Sequence, residues 1–154
     1  MKLVRFGEPG HEKPGVLLDH APEVDGPGIL DVEATAFDMH DYDAHFFASG
    51  GLDRLRGLLA EQKRNIVPAE GLRLGPPVAR PGKILCMGKN YAEHAREFGT
   101  EPPDYPVVFS KPTSSIIGPN DPIAIPPDGE CVDSEVEVAV VFGRTVKEVS
   151  EEDA

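Results

Sequence analysis

The sequence predicts an α+β protein that is mainly β, built from short strands with few helices. Three observations carry that expectation. Apolar residues fall in short runs bounded by Gly, Pro and Asp, as strands do. Sixteen glycines and sixteen prolines in 154 residues make about one residue in five, against roughly one in eight in an average protein. They are scattered among the apolar runs rather than repeated, which points to turns and not to disorder. Only two stretches before the C-terminal residues read as helices.

Taken in order, "KLVRFG" and "GVLLD" are apolar runs separated by "EPGHEKP", a hairpin pattern. Residues 20–50 are irregular, with "DGPGI" as a loop. "LDRLRGLLAEQKR" places Leu52, Leu55, Leu58 and Leu59 at helical spacing, with Ser49 as an N-cap candidate. "GLRLGPPVARPG" is rich in proline and reads as the join to a second unit near residue 80. Beyond it, "KILCMG" has the composition of a buried strand. "NYAEHAREFG" reads as a short helix from Asn90 to Gly99. "PVVFSKP", "PIAIP" and the longest, "EVEVAVVFG", read as strands. The expected division is a small α+β domain over 1–72 and the first part of a larger domain over 73–154.

Composition excludes several function classes. The chain has 27 acidic and 15 basic residues, a net charge of −12. It has no basic cluster, so nucleic acid is not an expected partner. No apolar run reaches membrane-spanning length, and "MKLVRFGEPG" lacks the apolar centre of a signal peptide. Two cysteines, Cys86 and Cys131, do not make a disulfide framework. Each sits beside apolar residues and is expected as a buried free thiol. A cytoplasmic location is expected.

Four stretches hold candidate chemistry. In "DSEVEVAVVFG", residues 133–143, strand alternation puts Glu135, Glu137, Ala139 and Val141 on one face and Val136, Val138, Val140 and Phe142 on the other. The second face is a core face. The first turns apolar after its two acids, so the later half is expected to be buried on both sides. Two carboxylates converging in a poorly solvated place repel, and a divalent cation resolves that. An edge strand with two solvated glutamates fits the same pattern. In "NYAEHAREF", His94 and Glu97 are neighbours on one helix face. A carboxylate that fixes the imidazole leaves its other nitrogen free as a general base, although a mixed-charge surface helix reads the same way. "HDYDAH", residues 40–45, offers His40, Asp41, Asp43 and His45, but in no standard metal spacing. It reads as a polar loop leading into Phe46 and Phe47. Lys111, in "FSKP", lies at a strand end where a lysine meets a substrate carboxylate or solvent.

In register, "GKILCMGKNYAEHAREFG", "PVVFSKPTSSIIGPNDPI" and "VDSEVEVAVVFGR" resemble the fumarylacetoacetate hydrolase family, over roughly residues 73–154. The residues before them resemble the variable small domain of its shorter bacterial members. The resemblance implies a mixed β roll, a homodimer, and Mg2+ or Mn2+ bound by Glu135 and Glu137. It also implies a His94–Glu97 catalytic dyad, with Lys111 and Tyr91 on the substrate. The implied reaction is cleavage of a C–C bond in a 2,4-dioxo, acylpyruvate-like acid. His94 deprotonates water, hydroxide attacks the distal carbonyl, and a pyruvate-type enolate leaves. Oxaloacetate-type decarboxylation, tautomerisation, ureidoglycolate lysis and a non-catalytic assembly role remain alternatives on the same fold.

The last residues, "VSEEDA", read as a helix start with Ser150 as N-cap. Family members continue through a segment that supplies a third carboxylate ligand. The 154 residues are therefore expected to be a fragment, with weak metal affinity and no turnover by themselves.

Overall fold

A computed structural model describes residues 1–153 except 62, 63, 90, 92–98 and 100–102. It divides into two compact units, 1–79 with 117–154, and 80–116.

The first unit begins with the expected hairpin. Strand β1 (Lys2–Phe6) pairs antiparallel with β2 (Lys13–Leu18), from Lys2↔Leu17 to Phe6↔Lys13. The intervening loop turns through Gly7 and Gly10, at φ 117° and 80°, where a side chain would strain the backbone. β3 (Gly28–Asp31) adds to β2, β4 (Ile66–Pro68) to β3, and β5 (Leu74–Gly75) to β1, giving the antiparallel order β4-β3-β2-β1-β5. Pro14 stands one residue beyond the reach of β3, which pairs only Gly15–Leu18. It therefore interrupts no central ladder.

Three short helices cover the sheet. In α1 (Val32–Thr35) the Asp31 carboxylate caps by accepting from the Ala34 N–H at 2.9 Å. In α2 (Ala44–Ala48) Asp43 does the same for Phe46 at 3.0 Å. These caps satisfy donors that a one-turn helix leaves open. The amphipathic run becomes α3 (Gly51–Leu59), but Ser49 does not cap it. Ser49 closes α2, and the α3 N-cap position is Gly50 at φ 78°. The two helices are too close in sequence for a β-region cap between them, so the chain reverses through a left-handed glycine. Gly51 is required next because a Cβ there would sit 2.3 Å from the Phe46 ring. The core is Val16, Leu30, Val32, Ala36, Met39, Tyr42, Phe46 and Leu55.

β3, α1 and α2 lie in the stretch expected to be irregular. Elements of four or five residues are too short to display a period. The second unit holds β6 (Ile84–Gly88) paired antiparallel with β7 (Val107–Lys111) and a 3₁₀ turn at Thr113–Ser115. β6 was expected to be buried, yet Leu85 is 62% exposed. Two strands alone offer no second layer to cover either face.

Residues 122–149 depart furthest from expectation, for they hold no helix or strand. "PIAIP" and "EVEVAVVFG" are not strands, and neither face of the latter is buried. Val136 is 92% and Phe142 71% exposed. The alternation is present, but among the described residues no strand edge pairs with it, and a lone strand leaves its backbone groups to water. "VSEEDA" forms a turn, Asp153 N–H to Ser150 O at 3.2 Å. Cys131 is exposed and Cys86 partly so, against the expectation of two buried thiols. Among the described residues no helix is long and apolar enough to cross a membrane.

Candidate functional site

Glu135 and Glu137 lie two residues apart on the extended stretch, both exposed. Neither has a hydrogen bond or ion pair to a described residue. Two unpaired hard oxygen donors fit Mg2+ or Mn2+ in kind. Among the described residues no three His, Cys, Asp or Glu side chains converge.

Lys111 is the last residue of β7, paired with Ile84. Its Nζ lies 5.5 Å from the Phe109 ring centroid, as i, i+2 neighbours on one strand face do. Its ammonium is exposed and has no carboxylate partner among the described residues. Tyr91 is 49% exposed. His94 and Glu97 lie outside the described residues.

The "HDYDAH" stretch is given over to structure. Asp41 accepts a fork from the buried Arg5, at 2.6 Å from Nε and 3.0 Å from Nη2. Asp43 caps α2. Tyr42 is fully buried and donates its hydroxyl to the Gly15 carbonyl at 2.8 Å; burial raises its pKa well above the usual phenol value. His40, His45 and Arg54 border a shallow cleft there.

Sequence reasoning missed a cluster around Arg73. Its Nε and Nη2 donate to the two Asp121 oxygens at 2.9 and 2.6 Å, and its Nη1 donates to Glu12 and to the Gly7 carbonyl, both at 3.0 Å. The Arg73 hydrogen bond holds the Asp121 carboxyl below its usual value, helped by the Gly118 N–H. Burial pushes Glu12 up, but the Arg73 hydrogen bond and the charges of Arg5 and Arg73 outweigh it, so its net shift is downward. No local pattern announces partners 48 and 61 residues apart. The one hint was "GPND", a turn sequence.

Residues 83–154 match the family described as fumarylacetoacetate (FAA) hydrolase C-terminal. Over those residues the chain is similar to the fumarylacetoacetate hydrolase family. Relatives extend the likeness to nearly the whole chain. A Burkholderia multivorans protein provisionally named a hydrolase is 44% identical over 98% of this chain and 50% of its own length. Oxaloacetate tautomerase Fahd2a, mitochondrial, of Rattus norvegicus is 37% identical over 99% of this chain and 48% of its own. The chain thus spans about half the length of these relatives. The crystal structure of a protein from Mycobacterium smegmatis, provisionally named HpcE, superposes with a TM-score of 0.61 at 24% identity. It covers 82% of this chain and 41% of that one, a likeness of fold. A mainly β architecture with few helices agrees with that likeness of fold.

Proposed function

We propose that this protein is a divalent-metal-dependent enzyme of the fumarylacetoacetate hydrolase family, cleaving a C–C bond in acylpyruvate-like 2,4-dioxo acids. The observation that carries this reading is the family match over 83–154, a span that contains His94, Glu97, Lys111, Glu135 and Glu137 together. The carboxylates of Glu135 and Glu137, free of other cations, would hold Mg2+ or Mn2+. Bound there, such an ion supplies Lewis-acid stabilisation of negative charge developing on a 2-oxo acid. In this reading His94 has the role of general base toward water and Glu97 that of the carboxylate that fixes its tautomer. Lys111 would offer an ammonium to the substrate carboxylate, and Tyr91 would be a further substrate contact.

A second reading is enol–keto tautomerisation of oxaloacetate. The mitochondrial relatives that carry that name, at 36–37% identity, favour it. It needs the same proton-moving base and the same enolate stabilisation without bond cleavage.

One assay separates the two. The full-length protein is incubated with Mg2+ or Mn2+ and a panel of acylpyruvates, scored for pyruvate release, and with oxaloacetate, scored by loss of enol absorbance. Pyruvate release supports the hydrolase. Enol loss without cleavage supports the tautomerase. No change in either, under both metals, overturns both. His94→Ala is expected to lower turnover about 10²- to 10⁴-fold, the usual contribution of a general base, while Mn2+ affinity stays within twofold. An equal loss of affinity would make His94 a ligand.

A further inference from the structure

The chain leaves the first unit at Ala79 and rejoins it at Ile117. Its return is closely specified. Asp121 accepts both arms of the Arg73 fork and also the Gly118 N–H at 2.8 Å. The Asp121 N–H donates back to the Gly118 carbonyl at 3.1 Å, closing a tight turn. Gly118 is pressed onto β5: a Cβ there would lie 2.2 Å from the Leu74 carbonyl oxygen and 3.1 Å from the Gly75 Cα. Ile117 and Pro119 line a shallow apolar cleft together with Leu3, Val4 and Pro77. Arg73 is held from behind by Glu12 and the Gly7 carbonyl.

The segment after the turn is stiff. Pro122, Pro126 and Pro127 fix φ at three of the next six positions, and a second turn closes with Gly129 N–H to Pro126 O at 2.9 Å. A proline-rich segment transmits direction over several residues, where a glycine-rich one would lose it. This restricted stretch ends at residue 129, six residues before Glu135.

We infer that Arg73 is a positioning residue. By clasping the Gly118–Asp121 turn to the edge of the N-terminal sheet, it fixes the path along which Glu135 and Glu137 are delivered to their ligand. The inference rests on the proposed role of those two glutamates. A misplacement of about 1 Å at a reacting centre lowers rates by about 10²-fold, so a clasp remote from the chemistry has leverage on it.

The test compares, in the full-length protein, Arg73→Ala, Asp121→Ala, their double variant and the milder Arg73→Lys, which keeps the charge facing Glu12 but cannot fork. Three quantities are measured: hydrogen exchange of the Gly118 and Asp121 amides, Mn2+ affinity by titration, and kcat and KM on whichever acid the wild type converts. In Arg73→Ala, exchange at both amides is expected to rise at least tenfold with β1–β3 unchanged. Mn2+ affinity should fall at least fivefold, and kcat should drop more than KM rises. Arg73→Lys should lie between, and the double variant should be no worse than Arg73→Ala. Unchanged exchange overturns the clasp. Fast exchange with Mn2+ affinity and kcat both within twofold of wild type overturns the positioning role, as does an additive double variant. A wild type that binds no Mn2+ overturns the proposed function instead. Exchange over residues 122–129, faster or not in Arg73→Ala, then decides the clasp by itself.

Discussion

Tyr42 illustrates how much a single residue decides. Its ring is fully buried, 4.8 Å from the Phe46 centroid, and its hydroxyl reaches the Gly15 carbonyl on β2. Tyr42→Phe keeps the packing and leaves that carbonyl without its partner. A loss of about 1–2 kcal/mol in urea unfolding is expected, and no change would mean that water replaces the hydroxyl. Asp41, the preceding residue, neutralises Arg5, of which 8% is exposed. Asp41→Ala strands a buried guanidinium, with Glu12 at 3.5 Å as a lesser partner. It should destabilise by about 3 kcal/mol, the low end for breaking a buried pair. These two residues stand in a histidine- and aspartate-rich motif that suggests a metal site. Its spacing already spoke against one, and the particular bonds that use its carboxylates are visible only in the fold.

At the scale of elements, the helices are set by contacts more than by propensity. α3 has leucines at helical spacing, and the one that reaches the centre of the core is Leu55, fully buried. Leu55→Ala should lower stability by about 2–5 kcal/mol. Leu58→Ala, at the half-buried edge of the same face, should lower it by less. Equal losses by thermal unfolding would contradict the orientation of α3 on the sheet. The extended segment 135–142 makes the opposite point. Its strand period is the strongest in the sequence, yet it forms no strand, because a ladder needs a partner edge. The alternation records where the segment can pair and leaves open with what.

The whole molecule is acidic, and it spends several carboxylates on arginines. Glu12 and Asp121 titrate below their ordinary values of 4.5 and 3.8. A carboxyl whose folded pKa is depressed adds stability that is fully present above its unfolded value. That stability is lost as pH falls through the folded value. The first unit is therefore expected to keep this contribution above about pH 5 and to lose it progressively in stronger acid. Glu12→Gln should be less stable than wild type at neutral pH and approach it near pH 3 in thermal melts. A constant gap between the two would assign the effect to packing. The exposed run from Val136 to Phe142 is a further whole-molecule property, since contiguous exposed apolar surface invites association. The 154-residue chain should bind a hydrophobic dye such as ANS, and Val138→Lys with Phe142→Lys should at least halve that fluorescence.

By itself the sequence determined the mainly β character, the first hairpin, the amphipathic helix and the family motifs over 83–154. Each of these is written in local periodicity, in turn residues or in short fixed spacings. Residues close together in the chain carry such signals without reference to the rest of the fold. The tertiary structure decided the rest. It put β3, α1 and α2 into a stretch too irregular to read. It moved the start of α3 from Ser49 to Gly50, because the turn between two helices demands a left-handed residue there. It built the Arg73–Asp121 clasp from groups 48 residues apart, and it denied Glu135–Phe142 a strand. These outcomes depend on which distant groups meet, and a linear pattern holds no distance of that kind.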